Sequence, residues 1–159
     1  MKFDFPQVDL PCEILAWNDV TEDILNIYKQ SCRLKAGIFA ICTEGKMTAT
    51  MNLIDYEIKP NDLITLLPGT IIQFRERTEK VRLCFAGFSS ECVERINLIK
   101  SMVSSFSKIT ECPIVELQED IASYLIDYFS LLARVTCDEK LSLPSEMTEV
   151  SLRSILTAV

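Results

Sequence analysis

Seven cysteines, at positions 12, 32, 42, 84, 92, 112 and 137, are the most reactive side chains of this 159-residue chain, which contains no histidine. No Cys-x-x-Cys occurs, the number is odd, and several lie inside apolar runs such as Leu83-Cys84-Phe85. The pattern fits buried, reduced thiols of a cytosolic protein rather than a disulfide framework or a zinc site. Without histidine no Ser-His-Asp or Cys-His pair forms, no imidazole serves as general base and none ligates a metal. Chemistry is left to carboxylates, lysine, tyrosine or thiols. Acids outnumber bases 23 to 16, a net charge of −7. A grip on nucleic acid phosphates needs clustered cations, and here they are scattered, so the chain is not expected to hold nucleic acid itself.

Apolar residues make up 48% and charged residues 25% of the chain, a globular balance at a length that supports one core or one core plus an appendage. No stretch reaches the roughly 18 consecutive apolar residues of a membrane span. The opening MKFDFPQVDL carries acids and a proline where a secretory signal needs an apolar segment. A cytoplasmic location is expected.

Two periodicities divide the chain. Up to about Ser89 it reads as short strands punctuated by turn residues. Cys12–Trp17 is a short apolar run, the stretch 18–28 a loop with a helical turn, and Leu34–Thr43 one strand closed by Glu44-Gly45. Met47, Ala49, Met51 and Leu53 alternate with polar residues, the period-two mark of a half-buried strand. Tyr56 and Ile58 resume the alternation after an Asn52–Asp55 turn. Lys59-Pro60-Asn61-Asp62 leads into the apolar run Leu63–Leu67, which suits a strand covered on both faces and stops at Pro68-Gly69. Ile71–Arg77 and Val81–Phe88 follow, divided by the charged turn at 78–80. Seven or so such strands predict a small antiparallel barrel or sandwich. Three of the four glycines, Gly45, Gly69 and Gly87, read as turn or bulge residues and none as part of a phosphate-binding loop.

After Ser90 the period becomes helical. Ser89-Ser90 before Glu91 is an N-cap signal, and Cys92, Ile96, Ile99, Val103 and Phe106 follow on one face. A second helix is predicted from Ile114 to about Val135. At about 100° per residue, Ile114, Leu117, Ile121, Leu125, Tyr128, Leu132 and Val135 make one stripe and Val115, Ala122, Ile126, Phe129 and Ala133 another. That apolar arc of roughly 200° is about twice what a single packing face requires. One stripe is expected to cover the barrel, and the other either a neighbouring helix of the same chain or a second copy, with Ile121, Leu125, Tyr128 and Leu132 at the contact if a dimer forms. Pro144-Ser145-Glu146 opens a further helix carrying Leu152, Ile155, Leu156 and Val159. The absence of a stop signal at Val159 suggests a piece of a longer protein.

The run Gly45-Lys-Met-Thr-Ala-Thr-Met-Asn52, then Tyr56-Glu-Ile-Lys-Pro-Asn-Asp-Leu-Ile-Thr-Leu-Leu-Pro-Gly69 and Ile71-Ile-Gln-Phe74, resembles the cupin β-barrel of AraC-type bacterial transcription regulators. The resemblance implies a mainly β fold with helices: a small antiparallel jelly-roll barrel over residues 1–89, then two to three packed helices over 90–159 for dimerisation and linkage. DNA would be bound only through a C-terminal domain outside this chain. Metal-binding cupins carry histidines on the strand after the first motif glycine and shortly after the Pro-Gly turn. Here the second place reads Ile71-Ile72-Gln73, so the resemblance points to a metal-free barrel with no cofactor that senses a small-molecule effector without catalysis. By position relative to the motif glycines, Glu44, Ile72, Phe74, Leu83 and Phe85 are the expected pocket residues, a mostly apolar set with one charge; the other reading is a filled barrel core with no ligand space, since small barrels are often packed solid. The alternative is a small metal-free cupin enzyme of the sugar isomerase or epimerase type, working through Glu, Tyr or Lys.

Overall fold

A computed structural model describes residues 7–9, 14–20, 30–77, 80–95 and 112–137. It contains ten described strands: β1 (Gln7–Val8), β2 (Ile14–Val20), β3 (Cys32–Leu34), β4 (Gly37–Glu44), β5 (Met47–Met51), β6 (Ile54–Ile58), β7 (Asp62–Leu66), β8 (Ile71–Arg77), β9 (Arg82–Phe88) and β10 (Ile114–Glu116). Two described helices complete the order, α1 (Ser90–Arg95) and α2 (Glu119–Cys137).

The strands form two five-stranded sheets, ordered β1-β3-β8-β5-β6 and β10-β7-β4-β9-β2. Strands β2 to β9 pair in nested antiparallel fashion: β5 with β6, β4 with β7, β3 with β8 and β2 with β9. Every pair straddles the same point of the chain. Met51 faces Ile54, Ile41 faces Leu63, Cys32 faces Ile72 and Ile14 faces Phe88. The unit is one long hairpin with its apex at Asn52-Leu53, rolled so that successive strand pairs fall alternately into the two sheets. This is a jelly roll, which manages its edges by doubling over.

Turn chemistry sets the folds of the hairpin. Asp62 N donates to Lys59 O (3.1 Å) with Asn61 at φ 72°, and Thr70 N donates to Leu67 O (3.1 Å) with Gly69 at φ 93°. Both are type II turns, with proline at the second position and a left-handed residue at the third. Asp62 is buried, and its carboxylate accepts the Lys59 backbone N–H at 2.9 Å, holding the first turn shut.

Two apolar layers result. Between the sheets lie Cys32, Leu34, Met47, Ala49, Met51, Ile58 and Ile72 from the first sheet and Ala40, Cys42, Ile64, Leu66 and Leu83 from the second. On the outer face of the second sheet, Ala16, Phe39, Ile41, Leu63, Cys84, Ala86 and Phe88 pack with Cys92 of α1 and Leu125, Phe129 and Leu132 of α2. The rings of Phe39 and Phe88 meet edge to face at 6.2 Å. The second sheet is thus covered on both faces, which is why all five residues of β7 are buried. Strand β5, in the one-sided sheet, alternates buried with half-buried.

Three expectations are corrected. The single strand predicted over Leu34–Thr43 is two, β3 and β4, interrupted at Lys35-Ala36 where the chain crosses from one sheet to the other. The helix predicted from Ile114 begins at Glu119. Ile114–Glu116 is instead an edge strand on β7, with Ile114 facing Ile64 and Glu116 facing Asp62. An open strand edge needs partners for its amides, and two β-branched residues after Pro113 supply them. A sharp division at residue 89 does not hold among the described residues either, because β10 completes a sheet begun by earlier strands and both sides of that boundary share one apolar layer. The expected N-cap is present: Ser89 Oγ accepts the Cys92 N–H at 3.2 Å. Of the stretch 18–28 expected as a loop, 18–20 belong to β2, and its remainder, with the expectations for 96–106 and for the helix after Pro144, lies outside the described residues.

Two substitutions test this account. Asp62→Ala should destabilise by about 1–3 kcal/mol in urea unfolding, since it strips the part-buried Lys59 amide of its acceptor and removes a buried side chain. Phe129→Ala, on the sheet-facing side of α2, should cost about 3–5 kcal/mol.

Candidate functional site

The five expected pocket residues come to two different environments. Ile72 and Leu83 are buried between the sheets, and Phe74 and Phe85 are partly buried against the same cluster. Here inward parity places side chains that fill the core. Glu44 is exposed at the end of β4, with its carboxylate 3.5 Å from Arg82 Nε. Its charge is in solvent, so the expected combination of an apolar interior with one internal charge does not form.

A cavity of about 370 Å³ opens at the opposite end of β5, and none of those five residues lines it. One wall is the apex of the rolled hairpin, with Met51, Asn52, Ile54 and Tyr56. The other is the Leu67–Thr70 turn with Thr65 and Pro113. It lies where β10 ceases to cover β7: Ile114 is the last paired residue, and beyond it Thr65 N donates to Pro113 O at 2.9 Å. Asn52 braces the two walls, since its side-chain oxygen accepts the Ile71 N–H at 3.0 Å and its own amide donates to Ile71 O at 2.8 Å. The lining combines an apolar body with the neutral hydrogen-bonding groups of Asn52, Tyr56, Thr65 and Thr70, the mix of a small-molecule site. Sequence reading identified Asn52–Asp55 and Pro68-Gly69 as turns. Only the lateral antiparallel pairing of β5 with β8, with Met51 opposite Ile72, brings both to one end.

The long helix carries the second candidate surface. Ala122, Leu125, Phe129, Leu132 and Ala133 are buried on the second sheet, and Ile126 and Tyr128 lean on the same layer. Of the expected dimer residues, Leu125 and Leu132 are therefore consumed within the protomer, Tyr128 is half-buried and Ile121 is exposed. Two apolar residues unassigned from sequence, Tyr124 (67% exposed) and Leu131 (52% exposed), stand with Ile121 on the outer side of the helix. At about 100° per residue, Ile121, Tyr124, Tyr128 and Leu131 form a stripe bordering the buried face. Asp120 and Asp127 flank it.

Four of the described thiols, Cys32, Cys42, Cys84 and Cys92, are packing groups, and Cys112 is exposed. Burial pushes Cys42 and Cys84 up to about 11 and raises Cys32, so all three are held as neutral thiols. Lys59 is raised chiefly by its hydrogen bond to Glu116, 3.0 Å away, which pins β10 to the Lys59–Asp62 turn. Among the described residues no group of three or more Cys, Asp or Glu is placed to hold a metal ion, and no helix is long and apolar enough to cross a membrane.

No protein-family model matches the chain, and a search of curated proteins finds no match. Solved structures similar to it include ToxT from Vibrio cholerae, at TM-score 0.42 and 10% identity, covering 80% of this chain and 48% of that one. A ToxT structure bound to (E)-4-(8-methylnaphthalen-1-yl)but-3-enoic acid matches at TM-score 0.44 and 8% identity, covering 92% and 55%. The EutQ protein of Clostridium difficile matches at TM-score 0.32 and 11% identity, covering 52% and 70%. The chain spans about half the length of the ToxT chains.

The thiol environments predict site-selective labelling. At pH 8, Cys112, which is exposed, should react with a maleimide while Cys32, Cys42, Cys84 and Cys92 stay protected until unfolding, read by peptide mass spectrometry. A thiol raised in the folded state keeps its proton where the unfolded chain has lost it. Stability should therefore fall as pH rises from about 9 toward about 11, through the window set by Cys42 and Cys84.

Proposed function

We propose that this chain is the effector-sensing and dimerisation domain of an AraC-type transcription regulator, non-catalytic and metal-free, in line with its resemblance over Gly45–Phe74. DNA contact belongs to a further domain beyond Val159. The observation that carries the reading is helix α2, attached to a jelly roll that holds a ligand-sized cavity: one apolar face is spent on the sheet, and a second, with Ile121, Tyr124 and Leu131, is presented outward. Such a helix gives a small-molecule-binding module a means of pairing. A dimer in turn sets the spacing of two DNA-binding units.

The stripe suits a second copy of itself. In an antiparallel pair related by a two-fold axis between residues 127 and 128, Tyr124 lies opposite the other copy's Leu131, and Asp120 comes within reach of the other copy's Arg134. The contact is then isologous, with apolar residues at its centre and opposite charges at its ends. This shifts the proposed interface from Ile121, Leu125, Tyr128 and Leu132 to Ile121, Tyr124, Tyr128 and Leu131.

Sedimentation of the protein separates the roles of the two faces. Tyr124→Lys combined with Leu131→Lys should convert a dimer to a folded monomer at micromolar concentration with little change in melting temperature. Leu125→Ala should leave association intact and lower stability by about 2–5 kcal/mol. A wild-type monomer under these conditions overturns the dimer. Translation of the coding sequence past Val159 should show two helix-turn-helix patterns, and a stop codon there overturns the regulator.

A further inference from the structure

Two independent observations meet at the apex of the rolled hairpin. The first is backbone strain. Asn52 and Leu53 have φ of 50° and 70°, the type I′ geometry in which both central residues are left-handed and glycine is strongly preferred at the second. Asparagine adopts this region readily, whereas a leucine in it is an outlier. Leu53 recovers little by packing, being 80% exposed, and the next residue, Ile54, is 56% exposed. An aliphatic side chain held both strained and in water is doubly unfavourable in the free protein, and such outliers concentrate where a ligand is clamped.

The second observation is the cavity beside that turn, which Met51, Asn52 and Ile54 help to wall. Its volume of about 370 Å³ is toward the lower end of the range for small-molecule sites. The polar side chains that line it, Asn52, Tyr56, Thr65 and Thr70, are all neutral, and the Arg33 guanidinium, which donates to the Gly69 carbonyl at 3.4 Å, is exposed to solvent and outside the lining. They can pair with a hydroxyl or carbonyl. A charged head group placed among them would exchange its hydration for dipoles alone, an unfavourable trade.

We propose that Leu53 and Ile54 form an apolar lip over this cavity, and that the cavity takes a small uncharged amphiphile: an aliphatic or aromatic body bearing one hydroxyl or carbonyl group. The body lies on Met51, Ile54, Leu67 and Pro68, the polar group meets Asn52 or Thr70, and the lip buries its leucine only when the cavity is filled. The proposal rests on the reading of the domain as ligand-binding and adds the ligand's class and the residues that close on it.

Three probes with one chain and three heads decide the class: 1-octanol, octanoate and octylamine, titrated at pH 7 into the isotope-labelled protein. The backbone amide signals of Asn52, Gly69 and Thr70 are followed. Octanol should shift them saturably, with an affinity at least tenfold tighter than either charged probe. Leu53→Gly should raise the melting temperature of the free protein and weaken octanol at least threefold. Leu53→Asn, which also tolerates the left-handed region, should do the same. Octanoate or octylamine binding as tightly at these residues overturns the neutral class and leaves the sensing role standing. Undiminished octanol affinity in both Leu53 variants overturns the lip. Absence of saturable shifts with all three probes overturns the site, whereas the regulator reading falls only on its sedimentation and reading-frame tests.

Discussion

The sheet made of β10, β7, β4, β9 and β2 is removed from water on both faces, and most of the remaining architecture follows from that constraint. Its inner face meets the other sheet through Ile64, Leu66 and Leu83, and its outer face meets the helices through Leu63, Phe39 and Phe88. Helix α2 is therefore part of the domain core rather than an appendage. The azimuth of that helix is set by which residues reach the sheet, and what stays exposed on it is a consequence of the same fit. Double burial also weakens one source of specificity. Where both faces of a strand are apolar, a one-residue slip exchanges one buried set for another, so hydrophobicity does little to fix register. In this sheet the register is instead pinned by turns: Pro60-Asn61 with the Asp62 clamp, and Pro68-Gly69.

This division explains what could be read from the chain. Strands with one wet face announce themselves by alternation, and Met47 to Met51 shows it residue by residue. The strand boundary at Arg77 and the Ser89 cap followed from turn and capping chemistry, which is local. Three things were not legible. The crossing at Lys35-Ala36 has no proline and only a neighbouring glycine, so the change of sheet looks like a continuous strand. The residues Ile114 to Glu116 fit a helical stripe as well as a strand, since three residues are too few to distinguish a period of two from 3.6, and the open edge that claims them lies on β7, some fifty residues earlier. Tyr124 and Leu131 fall outside the strongest helical repeats of the sequence, whereas the sheet selects a face centred on Leu125 and Phe129.

The candidate site illustrates the same limit from another side. Inward parity correctly puts Ile72 and Leu83 between the sheets, but in a barrel this small the space between the sheets is filled by side chains. Open volume persists where the layers end, at the edges and turns, where backbone direction rather than parity decides what faces what. Glu44 and Asn52 stand at opposite ends of the same short stretch of chain, and only the latter belongs to an open end.

The position of that open end has a mechanical consequence. Pro113 lines the cavity and accepts a hydrogen bond from Thr65, and the next three residues pair with β7. Leu117 N then donates to Asn61 O at 3.0 Å, and α2 begins two residues later at Glu119. One uninterrupted run of seven residues thus connects the cavity wall to the start of the helix that bears the outward stripe. Along it the chain is held at each step, by β7, by the Asn61 carbonyl and by the Lys59–Glu116 pair, so it has little slack in which to absorb a displacement of Pro113. A ligand that wedges the cavity has two ways to relieve strain. It can move the apex, where Leu53 and Ile54 are exposed, or it can move the Pro113 end, which carries the helix with it. Ligand affinity and helix position are linked only to the extent that the second route is taken. The exposed, strained apex is the softer wall, so a ligand that needs only the lip to close leaves α2 where it is, while one too bulky for the lip bears on the helix.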